Sequence, residues 1–204
     1  MQALRNALSS PQAIWALLAL PAVPMVLGLI TGFGDMDDLL EDSGEFAAQL
    51  MIAAMVISPL RLMFPKTAWT AWLLKRRRYF GVAAFAYAVL HMVFYVLDMG
   101  SLRQILDEFS ALGIWTGWAA LAIFVPLAVT SNNVSQRLMK RHWKTLQRIV
   151  YPAAVLTLVH WIFVHNEGGA ALAHFVPLAA LEIYRIRKTW RTQVTRTAQP
   201  SEAN

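Results

Sequence analysis

The 204-residue chain contains no cysteine. This excludes disulfides, a thiolate nucleophile, Cys-ligated iron-sulfur clusters and covalent c-type haem attachment, and leaves histidine as the main metal-binding side chain. Charge is scarce as well: 15% of residues are charged against 57% hydrophobic, at a mean hydropathy of +0.46. A soluble single domain does not have that balance, so the chain reads as an integral membrane protein. Also missing are an internal repeat, a glycine-rich nucleotide loop and a hydrolase nucleophile motif, which argues against direct NADPH oxidation within the chain. The formal charge of +6 is set by topology and not by nucleic acid, because the basic residues gather on one side of the predicted spans.

Six apolar runs are present, at about 12–33, 46–60, 79–97, 109–130, 149–164 and 170–183. The sequence therefore predicts an all-α integral membrane protein, a bundle of six transmembrane helices, with the shorter runs borrowing interfacial residues to cross a ~30 Å core. Arg5, the second loop (Arg61, Lys66, Lys75 to Arg78), the fourth loop (Arg137, Lys140, Arg141, Lys144, Arg148) and the end of the chain hold 17 of the 18 basic residues on one side. Only Arg103 lies opposite, and ten of the twelve acids lie there with it. This asymmetry places both termini in the cytoplasm. Arg5 before an apolar run also suits a signal peptide, but the run's length, Pro21, Pro24 and the lack of a clean cleavage site favour a first span. One membrane domain, 1–192, is expected to be followed by a disordered cytoplasmic tail, 193–204.

Two histidines stand inside the third and fifth runs. His91 lies 13 residues after Arg78 and His160 lies 12 after Arg148, so at 1.5 Å per residue both sit roughly 18 to 20 Å from the cytoplasmic edge. An ionisable ring at that depth is costly and marks a functional candidate with a partner. Two neutral imidazoles facing each other can fill both axial positions of a haem iron, an arrangement suited to electron transfer. Composition and spacing leave other readings open: another metal, a proton relay, or histidines that only hydrogen-bond neighbouring helices.

Four stretches carry a family resemblance. Ser58-Pro59-Leu60-Arg61 closes the second helix; Arg76-Arg77-Arg78-Tyr79-Phe80-Gly81 leads to His91; Pro126 to Ser131 closes the fourth helix; and Arg141 to Tyr151 leads to Leu158-Val159-His160. Over about residues 44–165 their order resembles the haem-binding membrane subunits of periplasmic protein-methionine-sulfoxide reductase systems, the MsrQ or YedZ type, within the ferric reductase-like transmembrane superfamily. The resemblance implies a b-type cytochrome of the bacterial inner membrane, with His91 and His160 as haem axial ligands. It implies electrons taken from the quinol pool or a cytosolic flavin reductase and passed to a periplasmic molybdenum-containing subunit that reduces methionine sulfoxide. Such a chain is an electron-transfer subunit and not the catalytic one. Bound FMN is implied too, with Arg77, Arg78, Arg141 and Arg148 as candidate donors at the inner face, where contact with anionic lipid is the competing use.

The wider superfamily can hold a second, inner haem on histidines 13 or 14 residues before the outer pair. Here those positions are Arg77 and Gln147, neither an ordinary haem ligand, so a single haem b in the outer half is expected. Two other classes of function stay open: a stand-alone ferric or metal reductase-type cytochrome, and a non-redox transporter or scaffold with packing histidines. His165 and His174 are expected at the outer surface, the acidic segment 35–45 as a solvated loop, and 135–148 as an amphipathic helix on the inner leaflet.

Overall fold

The computed structural model describes residues 10–165 and 168–198. Arg5, the Asn166-Glu167 turn and the chain end lie outside the described residues, as does the His165 side chain. All regular structure among the described residues is helical: α1 (Pro11–Ala19), α2 (Ala22–Thr31), α3 (Met36–Met63), α4 (Ala68–Met99), α5 (Leu102–Glu108), α6 (Leu112–Val129), α7 (Asn133–Met139), α8 (Arg141–Gln147), α9 (Val150–His165) and α10 (Gly168–Ala198). Five helical segments are long and apolar enough to cross a membrane, and α1 with α2 makes a sixth if that bent pair is one span.

The first apolar run is thus broken where a single helix was expected. α1 and α2 meet at 45°, because Pro21 has no N–H to give and its ring crowds the preceding turn. The pair is pinned to α4 by Tyr87, whose hydroxyl donates to the Leu18 carbonyl at 2.9 Å, and by an edge contact between Trp15 and Tyr79.

The acidic segment is helix and not loop. Asp35 caps α3 by accepting from the Asp37 amide at 3.0 Å, and Asp37 and Asp38 fill the first turn, where the helix dipole favours negative charge. The 135–148 stretch also differs from expectation. It is two short helices broken at Lys140, which takes φ 50° and ψ −119°, so the surface element is an elbow. α10 runs through Gln193 to Ala198 with its last described side chains exposed.

α3 packs along α4, and α6 along α9, with α10 against α3 and α9. Their shared core is built from Ala48, Met51, Met55, Ala84, Phe124, Leu127, Ala153 and Ala154. Small residues at these crossings let backbones approach closely, the packing mode that works where surrounding hydrocarbon is as apolar as the core. The bundle has a basic end, with the α3–α4 turn and α7–α8, and an acidic end, with the starts of α3 and α6.

One polar knot closes the α3–α4 turn. Thr70 is 1% exposed; its hydroxyl reaches the Phe64 carbonyl at 2.9 Å and receives Arg61 Nη1 at 3.0 Å. Arg61 Nη1 also donates to the Thr67 carbonyl. Thr70→Val keeps the shape and orphans these groups. It should destabilise the fold by about 1–3 kcal/mol, read as a lower midpoint of thermal unfolding in detergent, and an unchanged midpoint contradicts it.

Candidate functional site

His91 projects from α4 and His160 from α9 into one space, with ring centroids 5.9 Å apart and planes at 83°. The depth match predicted by counting residues thus becomes a facing pair. Each ring is held in the same way. His91 Nδ1 lies 2.9 Å from the Leu40 carbonyl, and His160 Nδ1 lies 2.7 Å from the Gly113 carbonyl. A carbonyl only accepts, so each Nδ1 carries the proton and each Nε2 is the lone-pair nitrogen. This is the tautomer of a metal-binding histidine oriented by a second group behind it.

The two carbonyls share a local construction that sequence reasoning missed. Four residues beyond Leu40 is Gly44, and four beyond Gly113 is Gly117. In a helix a Cβ points back over the preceding turn, so a side chain at either position would stand where the imidazole meets its carbonyl. A Cβ on Gly44 would lie 3.0 Å from His91 Nδ1, and one on Gly117 only 2.6 Å from His160 Nδ1. The residue before each glycine is a buried hydroxyl that donates to the carbonyl four residues back, Ser43 to Leu39 and Thr116 to Leu112, each at 2.7 Å, and also lies near the carbonyl that meets the imidazole, at 3.2 Å from Leu40 and 2.8 Å from Gly113. The readable signal was a hydroxyl-glycine pair near the start of two spans.

Around the rings runs a groove of about 930 Å³, counting its open part. Gly44, Ala48, Ala88, Gly117 and Ala120 make the space by their smallness, while Tyr95, Trp118, Phe124 and Trp161 wall it. A metal held by the two Nε2 atoms from opposite sides, at ~2.0 Å per bond, would set the ring centroids roughly 6 Å apart. The 5.9 Å observed is close to that separation. The tautomers, the separation and the apolar groove around the rings therefore fit a haem whose iron His91 and His160 would hold. Among the described residues no group of three or more His, Cys, Asp and Glu side chains suits a bare metal ion.

Toward the basic end, polar side chains join the helices. Arg77 Nε donates to the Ala54 carbonyl at 2.8 Å and Nη1 to Ser58 Oγ at 3.0 Å. Gln147 Nε2 donates to the Leu127 carbonyl at 3.2 Å and reaches Thr130 Oγ1 at 3.3 Å. Both residues serve as bolts between helices. Of the other arginines singled out by sequence, Arg78 binds Asn133 Oδ1 at 2.8 Å on α7, and Arg141 and Arg148 are exposed. The four arginines are thus directed to different surroundings. His174, expected at the surface, is half-buried with its ring stacked on Trp161 at 5.4 Å.

A helical bundle of membrane-length spans with two imidazoles facing across its interior defines a multi-pass membrane protein. Residues 43–158 match the family described as ferric reductase like transmembrane component. The chain is similar to a protein-methionine-sulfoxide reductase heme-binding subunit MsrQ of Rhizobium meliloti, at 33% identity over 96% of this chain and 94% of the relative. It also resembles MsrQ of Rhodospirillum rubrum at 38% identity over 58% of this chain and 57% of the relative. MsrQ of Brucella ovis matches at 33% over 78% of this chain and 70% of the relative. The chain belongs to the ferric reductase-like transmembrane family and, within it, to the MsrQ type. No solved structure matches it.

Gly117→Ala should displace the His160 ring, because the added carbon would lie 2.6 Å from Nδ1. Gly44→Ala, with 3.0 Å available, should do less. The expected readout is loss of bound-cofactor absorbance in Gly117→Ala and a smaller loss in Gly44→Ala, at equal protein yield. The reverse order contradicts the construction described.

Proposed function

We propose that this chain is a membrane b-type cytochrome subunit whose single haem is held between His91 and His160. The observation that carries the reading is the facing pair of Nδ1-protonated imidazoles at a metal-bridging separation. Haem, when bound, supplies a one-electron centre; the chain supplies its orientation, its exclusion of water and its neutral ligands. With both His91 and His160 holding its iron, a bound haem would supply electron transfer and not oxygen chemistry. Arg77 and Gln147, neither an ordinary haem ligand and both engaged in interhelical hydrogen bonds, support one haem and not two.

Orientation follows from charge. The basic end is the cytoplasmic face of a bacterial inner membrane, both termini are cytoplasmic, and the histidines lie in the outer half. Residues 1–192 form the membrane domain and 193–204 the tail. Electrons come from the quinol pool or a cytosolic flavin reductase and go to a periplasmic molybdenum-containing subunit that reduces methionine sulfoxide in oxidised proteins. The relatives named as haem-binding subunits of a protein-methionine-sulfoxide reductase support that assignment. FMN belongs at the inner face, where exposed Arg141 and Arg148 suit its phosphate better than Arg77 and Arg78, which already hold interhelical bonds. A second reading, a stand-alone metal reductase, draws on the family description alone; reductase activity without any periplasmic partner would favour it.

Purified protein should show a Soret band and about one haem per chain. His91→Ala and His160→Ala should each abolish or shift that band. A colourless wild-type chain defeats the cytochrome reading, and near two haems per chain with half lost in Gln147→Ala defeats the single site.

A further inference from the structure

Below the histidine groove, four helices bring charged and polar groups together. Glu182 on α10 is 8% exposed. Its Oε2 is held by Arg185 Nη2 at 2.8 Å and by the Tyr151 hydroxyl at 3.5 Å, and Arg185 also donates to that hydroxyl. Arg77, anchored to Ala54 and Ser58 of α3, lies within electrostatic reach of Glu182, Tyr151 and Arg185. Lys188, further along α10, is taken up by the Leu62 carbonyl and the Tyr184 hydroxyl. Glu182 Oε1 is buried and has no hydrogen-bond partner among the described residues. A purely structural ion pair gains nothing from a bare buried oxygen, which costs about 1–3 kcal/mol. In a membrane span such a carboxylate is by default a functional-site candidate, and proton transfer is one of its uses.

We propose that Glu182 is the proton acceptor for electron uptake at the basic end, from a reduced carrier that must release one proton with each electron. The proposal rests on the cytochrome reading above and names the chemistry of its donor side. The shared chemistry is an O–H or N–H on a two-electron carrier, a hydroquinone or a dihydroflavin. When that bond breaks, the electron passes toward the histidine pair and the proton goes to Glu182 Oε1. Two such steps remove two electrons and two protons from the carrier, and the carboxyl releases its proton to water at the basic end after each. Arg185 and Tyr151 hold Oε2 and so fix the orientation of the carboxyl, with Oε1 as the oxygen that takes the proton. Tyr151 stands nine residues before His160 on α9, roughly 13 Å along the helix.

The test compares Glu182→Gln with wild type, following haem reduction by three reductants: a short-chain hydroquinone, reduced FMN, and dithionite, which delivers electrons without a proton. The expected result is an unchanged Soret band and dithionite rate, with roughly 10²-fold slower reduction by a proton-carrying reductant. Whichever arm slows identifies the carrier. Glu182→Asp should recover part of the rate. In the redox-difference infrared spectrum, a protonated-carboxyl band present in wild type should vanish in Glu182→Gln. If that variant fails to fold, Tyr151→Phe should give a smaller slowing in the same arm alone. Equal slowing in all three arms, or none in either proton-carrying arm, overturns the proposal while leaving the cytochrome reading intact. A wild-type chain without a Soret band overturns both.

Discussion

A polar group in hydrocarbon must find its partner within the protein, because lipid tails offer no hydrogen bond. The rest of this bundle depends on how that constraint is met at two carbonyls, Leu40 and Gly113. Each already accepts within its helix and accepts again from an imidazole. The second bond is sterically open only because glycine stands four residues on. From it follow the tautomer of each histidine, the direction of each lone pair and the separation of the rings. The glycines thus act through chemistry they do not touch.

The bundle is divided by polarity along its length. The half toward the acidic end keeps a groove, made by small residues and walled by aromatic ones. The half toward the basic end is packed by Arg77, Gln147, Glu182, Arg185 and Tyr151, each joined to a neighbouring helix or to one another. Interhelical hydrogen bonds from Arg77 and Gln147 fasten the helices there. This places the histidine groove on one side and a charged cluster on the other.

Elsewhere, local chemistry overrode hydropathy. Hydropathy located the spans but not their ends: α3 begins ten residues before its apolar run and α4 eleven before, because acids suit a helix N-terminus and arginines tolerate a helix interior when their heads reach water or a carbonyl. Pro21 breaks a run that is apolar throughout. Lys140 breaks a basic run that looked continuous, a choice made by the backbone and invisible to periodicity.

The sequence by itself determined the membrane class, the approximate number of spans, their alternation between basic and acidic flanks, and the common depth of His91 and His160. These are one-dimensional quantities, set by apolar length, charge position and the 1.5 Å rise of a helix. Tertiary structure alone decided that the two rings face each other, which carbonyls orient them, that Gly44 and Gly117 make room, and that Glu182 meets Arg185 and Tyr151 with one oxygen bare. Those facts depend on the rotation of each helix about its own axis and on which helices become neighbours. A lone acid such as Glu182 at the end of an apolar run reads from sequence as a boundary charge; only packing against α9 shows it to be buried.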